Sequence, residues 1–334
     1  VPETTGKIEP YPGRPGWSQQ TITAQIRPRE DLNAVRINST TLADSEKLYR
    51  TAASYSQTQI PQNLSNTFRL HLISISCQDY PKDGVFPPLT QAKADGDIVR
   101  DELIKHSGAH YAIGHILRLD DTNTKLNRSV IRNEVSRFSE KIGEVSPNDL
   151  VIVFLSGHGH VVQESYRYVP SSPVFKNDQQ LMQDGVCISD FEPLFNIDCR
   201  RIFLVDTCRA GDISESVKRL FDEARTKSML MFSATSQGQK AEESRDGKLS
   251  VFTSYLVDGL NGAADGYGEL HKVSNTFSTS RSGEAGIRDR VIEFAELTKF
   301  IETKVPLYTG RRQKPCFFNR QQENLLRIKV CNVR

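Results

Sequence analysis

The chain has 334 residues, 37% hydrophobic and 25% charged. At about 150 residues per domain this allows one large domain or two ordinary ones, and the composition excludes collagen, coiled coil and wholesale disorder. Forty-three Lys and Arg against 41 Asp and Glu leave a net charge of +2, without the basic footprint of a nucleic-acid-binding domain.

No window approaches the roughly eighteen apolar residues that a membrane span needs. The opening Val1, Pro2, Glu3, Thr4 and Thr5 have neither a basic nor an apolar signal region, so no membrane partner is expected. A first residue other than Met fits either a processed chain or part of a longer one. Six cysteines, at 77, 187, 199, 208, 316 and 331, are too sparse for a disulfide framework and form no CxxC pair. Reduced thiols in the cytoplasm are the expectation.

Residues 1–65 are rich in Pro, Ser, Thr, Gln and Asn and read as an irregular N-terminal arm or linker. From Phe68 the texture becomes short apolar runs separated by amphipathic segments, the alternation of a parallel sheet flanked by helices. Strands are predicted over Phe68–Ser76, Tyr111–Leu119, Leu150–Leu155, Arg201–Val205 and Ser228–Ser233. Asn127 is placed to cap a helix carrying Ile131, Val135, Phe138 and Ile142 on one face. Val161–Val169 alternates like a hairpin strand, and Ser189 with Glu192 offers a capping box before Leu194 and Phe195. Val217, Leu220, Phe221 and Ala224 mark a further helix, as do Val251–Leu260 and Val291–Val305. Between the last two, Asn261–Gly286 reads as a long Gly- and Ser-rich loop of functional length.

Two strand ends carry the chemistry. Leu150–Leu155 runs into Ser156, Gly157, His158, Gly159 and His160, and Arg201–Val205 runs into Asp206, Thr207, Cys208, Arg209, Ala210 and Gly211. In a parallel sheet both segments leave at the same edge, where catalytic groups collect. A thiol beside an imidazole that takes its proton is a nucleophile for carbonyl carbon, and the same imidazole can then protonate the leaving amine. The glycines let backbone approach a substrate closely, so the amides of Gly159 and Cys208 are the predicted oxyanion donors. One alternative is that His158 and His160 form a metal pair, since side chains two apart on a strand share a face. It lacks a third ligand in sequence reach.

These motifs resemble the caspase-like cysteine peptidases, within them the metacaspase and bacterial orthocaspase branch. The resemblance runs from about residue 68 to 320. It takes in Tyr80, Leu89–Leu103 with its Asp95, SGHGH, DTCRAGD, Phe232–Glu242, Val251–Leu260 and Arg311–Phe317. It includes the caspase interval of about 50 residues between His158 and Cys208.

The resemblance implies an α/β fold with a caspase-like, mostly parallel central sheet and helices on both faces. It divides the chain into an arm (1–65) and a peptidase domain (66–334). That domain splits into a large-subunit-like part (66–212), a linker (213–227) and a small-subunit-like part (228–334). It implies His158 as general base and acid, and Cys208 as the nucleophile of an endopeptidase working through a thioester. Asp206, where caspases that cut after Asp carry Gln, implies cleavage after Arg or Lys. Asp95 and Ser156 match further pocket positions. A carboxylate floor suits a guanidinium or ammonium and repels an acid.

Thr207 and Arg209 depart from the usual metacaspase Ser and His. No cofactor or metal is required, with calcium a candidate activator through Asp184, Asp190 and Glu215. Lys218, Arg219, Arg225 and Lys227 are candidate sites of self-cleavage in a zymogen latent until activated. Partners are then protein or peptide substrates, an activating protease or a regulatory protein. The alternative reading is a catalytically latent caspase-like scaffold that binds a partner.

Overall fold

The computed structural model describes residues 68–108, 110–213, 216–217, 228–244, 247–268, 288–318 and 323–332, the last including residues 323, 324, 331 and 332 by backbone only. The arm, residues 269–287 of the Gly- and Ser-rich loop, and residues 218–227 with their basic side chains and most of the expected helix lie outside the described residues.

In chain order the elements are β1 (Arg69–Ser76), α1 (Ala92–Ser107), β2 (Ala112–Asp120), α2 (Arg128–Ile142), β3 (Leu150–Gly157), β4 (Gly159–Val162) and β5 (Ser165–Tyr168). There follow α3 (Asp178–Asp184), α4 (Glu192–Phe195), β6 (Arg200–Thr207), β7 (Met229–Ser233), α5 (Val251–Asp258), β8 (Val291–Glu293), α6 (Phe294–Tyr308), β9 (Cys316–Phe318), α7 (Glu323–Leu326) and β10 (Lys329–Asn332).

The central sheet has six strands in the order β2-β1-β3-β6-β7-β9. The first five run parallel, and β9 closes one edge antiparallel to β7. Successive strand residues face opposite sides. On one side Ile73, Ile75, Val153, Leu155, Phe203 and Val205 pack with Ile131, Val135, Phe138 and Ile142 of α2. On the other, Leu72, Ile152, Phe154 and Leu204 pack with Val99 and Leu103 of α1, Val251 and Phe252 of α5, and Leu297 and Ile301 of α6. Both faces are covered, which is why the strand sequences are near-continuous in apolar residues. Each fully buried side chain of this size contributes about 1.5–3 kcal/mol.

The helix expected after Asn127 forms, and Asn127 Oδ1 accepts from the Val130 amide at 2.9 Å. Three expectations are corrected. Val161–Val169 is not one strand: β4 and β5 reverse at Gln163 and Glu164, both left-handed with φ of 48° and 60°. That turn lacks the Asn-Gly signature that would have announced it. The cap near Leu194 sits earlier than Ser189: the Asp190 carboxylate accepts from the Cys187 amide at 2.8 Å, because a short 3-10 turn over Ile188–Phe191 precedes α4. Val291–Glu293 is a strand rather than the first turn of a helix, pairing with β10 far along the chain, a partner that local periodicity cannot see. Among the described residues no helix is long and apolar enough to cross a membrane.

Candidate active site

β3 and β6 are neighbours in register, with Ser156 opposite Asp206 and Gly157 opposite Thr207. Residues 158 and 208 therefore leave adjacent strands side by side at the carboxyl edge of the sheet. Strand parity sends neighbouring residues to opposite faces. Ser156 and Asp206 meet α1 and the start of α5, whereas Thr207 meets Tyr166 of β5 across 2.6 Å. Residues 206, 207 and 208 thus serve three environments in turn.

His158 is held from several directions. Its backbone amide donates to Tyr80 Oη at 2.9 Å, and its ring lies against those of Tyr80 and Phe86, with centroids 4.6 and 5.4 Å away. Nε2 is 2.8 Å from the Pro87 carbonyl. A carbonyl only accepts, so Nε2 carries the proton and Nδ1 keeps its lone pair. Burial pulls the imidazole below its ordinary pKa, and the Pro87 bond opposes this.

Cys208 is partly exposed. Burial pushes its thiol up, opposed by the Ala241 amide and reinforced by Asp206. A raised thiol beside a lowered imidazole favours an uncharged pair at rest, so in any attack by this sulfur the proton would have to move during the step rather than before it. The structure juxtaposes the two backbones; no thiol–imidazole hydrogen bond joins the side chains among the described residues. Gly159 lies directly against this turn, since a Cβ there would collide with the Cys208 carbonyl and stand 2.7 Å from Tyr166 Oη. Beyond the thiol, Arg209 adopts φ of 55° and its amide donates to the Gln239 carbonyl at 2.8 Å. The Ala210 amide donates to Thr235 Oγ1 at 3.0 Å.

On the opposite face two carboxylates sit together. Asp206 Oδ2 accepts from the hydroxyls of Ser250 and Thr253, the latter at 2.7 Å. Asp95 Oδ1 accepts from the Ser250 amide at 2.9 Å and Oδ2 from Ser156 Oγ at 3.3 Å. Gly96 lets α1 approach closely enough for this, because a Cβ there would collide with Ser76 Oγ and reach 2.8 Å from Ser74 Oγ. Burial pushes Asp95 well up, with the neighbouring Asp206 adding to it; burial also pushes Asp206 up, against its hydroxyl bonds. Asp206 Oδ1 is buried and finds no hydrogen-bond partner among the described residues. Among the described residues no Lys, Arg or His pairs with either carboxylate.

The structure thus gathers Asp95, Ser156 and Asp206 on one side of the sheet edge and His158, Gly159 and Cys208 at its rim. His160 stands apart, with Nε2 3.6 Å from Asp178 Oδ1 on the surface, and no group of three or more His, Cys, Asp or Glu gathers to hold a metal among the described residues. Of the acids considered for calcium, Asp190 is bound by Arg128 at 2.9 Å and Glu215 lies outside the described residues. Sequence reasoning assigned no role to Phe86, Pro87, Ser250 or Thr253. Pro87 acts through its carbonyl, which leaves no side-chain signature, but a Ser directly before the expected helix at Val251 is a readable N-cap.

A family model described as "Caspase domain" matches residues 69–326, more than half of the chain. No curated protein matches it. Among solved structures, caspase-1 from Spodoptera frugiperda aligns at a TM-score of 0.43 and 14% identity, covering 75% of this chain and 86% of that one.

Proposed function

The chain belongs to the caspase-domain family, a family of cysteine peptidases acting on proteins, and on that premise we propose that it is a metacaspase-type endopeptidase cutting after Arg or Lys through Cys208 and His158. The observation that carries the basic specificity is Asp206. It is a nearly fully buried carboxylate with one oxygen unpartnered and a second carboxylate, Asp95, sharing Ser250 with it. An ionised pair in such a site costs several kcal/mol unless a cation meets it, and none of the described residues supplies one there. An Arg or Lys side chain of the substrate would, whereas an Asp would meet repulsion.

In the proposed reaction the Cys208 thiol meets His158 Nδ1 once substrate is bound, since apo contacts of this kind are often long. Nδ1 takes the Sγ proton as sulfur attacks the carbonyl carbon. The amides of Gly159 and Cys208 receive the developing oxyanion. The imidazolium, steadied by its Nε2–H on the Pro87 carbonyl, passes the Nδ1 proton to the leaving amine as the C–N bond breaks and a thioester forms. Water, deprotonated by the same nitrogen, releases the acid and restores the thiol. Such chemistry fits a reducing, cytoplasmic setting.

The test is a panel of fluorogenic peptides differing only in the residue before the cut, run on the parent and on Cys208→Ala. Cleavage after Arg and Lys by the parent alone supports the reading. Preference for Asp would remove Asp206 from it, and turnover by Cys208→Ala would remove the nucleophile.

A further inference from the structure

Helix α5 begins at the two carboxylates. Ser250 is its N-cap: Oγ accepts from the Thr253 amide at 2.9 Å while donating to Asp206 Oδ2, and its own amide donates to Asp95 Oδ1 at 2.9 Å. One residue therefore ties together β6, α1 and α5. Thr253, one turn on and fully buried, sends a second hydroxyl to the same Asp206 oxygen. Both donors converge on Oδ2, which fixes the carboxylate plane and leaves Oδ1 without a partner among the described residues. The positive end of the α5 dipole lies beside both acids. Ser156 completes the set from β3, and Glu243 is the further acid that acts on Asp95.

We propose that Ser250 is the positioning residue for substrate specificity: it locks Asp95 and Asp206 into one rigid floor whose free oxygen receives the cationic group of the substrate. The proposal rests on the basic-specificity reading above. Ser250 touches neither sulfur nor imidazole, so its loss should weaken recognition and spare the chemical step. A hydrogen bond from a hydroxyl to a charged acceptor is worth enough that removing it should cost about tenfold in binding.

The substitution that isolates this is Ser250→Gly. Glycine is tolerated at N-caps at a cost of only a few tenths of a kcal/mol, and it keeps the amide to Asp95 while deleting the hydroxyl to Asp206. Michaelis constants and kcat would be measured with Arg and Lys peptides on the parent, Ser250→Gly and Ser250→Thr. Affinity for agmatine, a free alkylguanidinium, would be measured by calorimetry on the same three proteins. The expected result is KM and agmatine Kd raised about tenfold in Ser250→Gly, kcat within about twofold, and both constants returned toward parental values in Ser250→Thr. Parental constants in Ser250→Gly, with the parent preferring Arg or Lys, would overturn the role of Ser250 alone. A parent with no such preference and no agmatine binding would overturn the specificity reading and this inference together.

Discussion

Five of the described aspartates are almost equally buried, at 1% exposure for Asp149, 3% for Asp190, 2% for Asp121, 2% for Asp95 and 4% for Asp206. Asp121 accepts from the Gln78 and Asp79 amides, and the other four fall into two kinds. Asp149 accepts from the Arg69 amide at 2.7 Å and its guanidinium at 3.3 Å, and Asp190 is gripped by Arg128 at 2.9 and 3.2 Å. Among the described residues Asp95 and Asp206 receive only hydroxyls and backbone amides. Asp149 and Asp190 brace the fold with a cation from the same chain. A carboxylate pair at the mouth of two strands, solvated by weak donors and left one oxygen short, is relieved by holding a proton and, on the proposed reading, by a cation from outside. The first kind contributes to folding, and the second, once ionised, costs stability that the proposed binding of a cation would recover.

The sharpest way to break this contrast is to neutralise one acid of each kind. Asp206→Asn should lower kcat/KM on Arg peptides by about a hundredfold or more, in line with the loss of a desolvated charge pair. Alkylation of Cys208 by iodoacetamide should continue no more slowly than in the parent, since the Asp206 charge that helps raise the thiol is gone. Asp190→Asn should do the reverse, lowering stability by about 3 kcal/mol as the buried partner of Arg128 is lost, with the ratio of Arg to Ala cleavage unchanged. If Asp206→Asn destabilises the fold and leaves selectivity intact, the two kinds are one kind.

A second separation lies in pH. Asp95 is pushed up to about 8 by burial and by the neighbouring Asp206, and Asp206 to about 6 by burial, and the protons belong to the pair rather than to either residue. A carboxyl raised on folding holds its proton more tightly folded than unfolded. Stability should therefore fall as pH rises from the ordinary carboxylate range through about 6 to about 8 and level off above. Asp95→Asn should flatten that fall and raise Tm at pH 8 by a few degrees, while weakening Arg binding. Over the same window KM for Arg peptides should drop as pH rises, because only the ionised pair attracts the cation. Burial draws the His158 imidazole below its ordinary value, toward the acid side of that window, so an acid limb that persists unchanged in Asp95→Asn would assign it to the imidazole instead.

The alternation of apolar runs was enough to read five sheet strands and the α2 face from Ile131 to Ile142, because burial on both sides of a parallel sheet is written into composition. The short strands β8, β9 and β10 were not readable as such: at three or four residues each they carry too few side chains to set a period, and their partners are distant. His158 and Cys208 were legible because small residues crowd each strand end. Asp206 and Ser156 could be put on one face by parity alone, counting back from those ends. Their meeting with Ser250 could not, since it depends on how closely α1 is drawn to the sheet through Gly96 and on where α5 docks. Both are consequences of packing rather than of local pattern.

The smallest expected effect tests the other face of the same edge. Tyr80 Oη accepts from the His158 amide at 2.9 Å and donates to the Val169 carbonyl at 3.0 Å, so Tyr80→Phe keeps the ring against the imidazole and deletes only the hydroxyl. The buried amide of His158 then loses its acceptor, which costs about 1–3 kcal/mol of stability and loosens the ring that must present Nδ1 to sulfur. Because the carboxylate pair lies across the sheet from Tyr80, KM for Arg peptides and agmatine affinity should stay parental. The chemical step should slow by a few-fold, read as kcat under single-turnover conditions. This is the mirror of Ser250→Gly, which moves KM and spares kcat. If Tyr80→Phe raises KM as much as it lowers kcat, the two faces of the strand edge are mechanically coupled, and recognition cannot be separated from chemistry by the parity of residues 206 and 207.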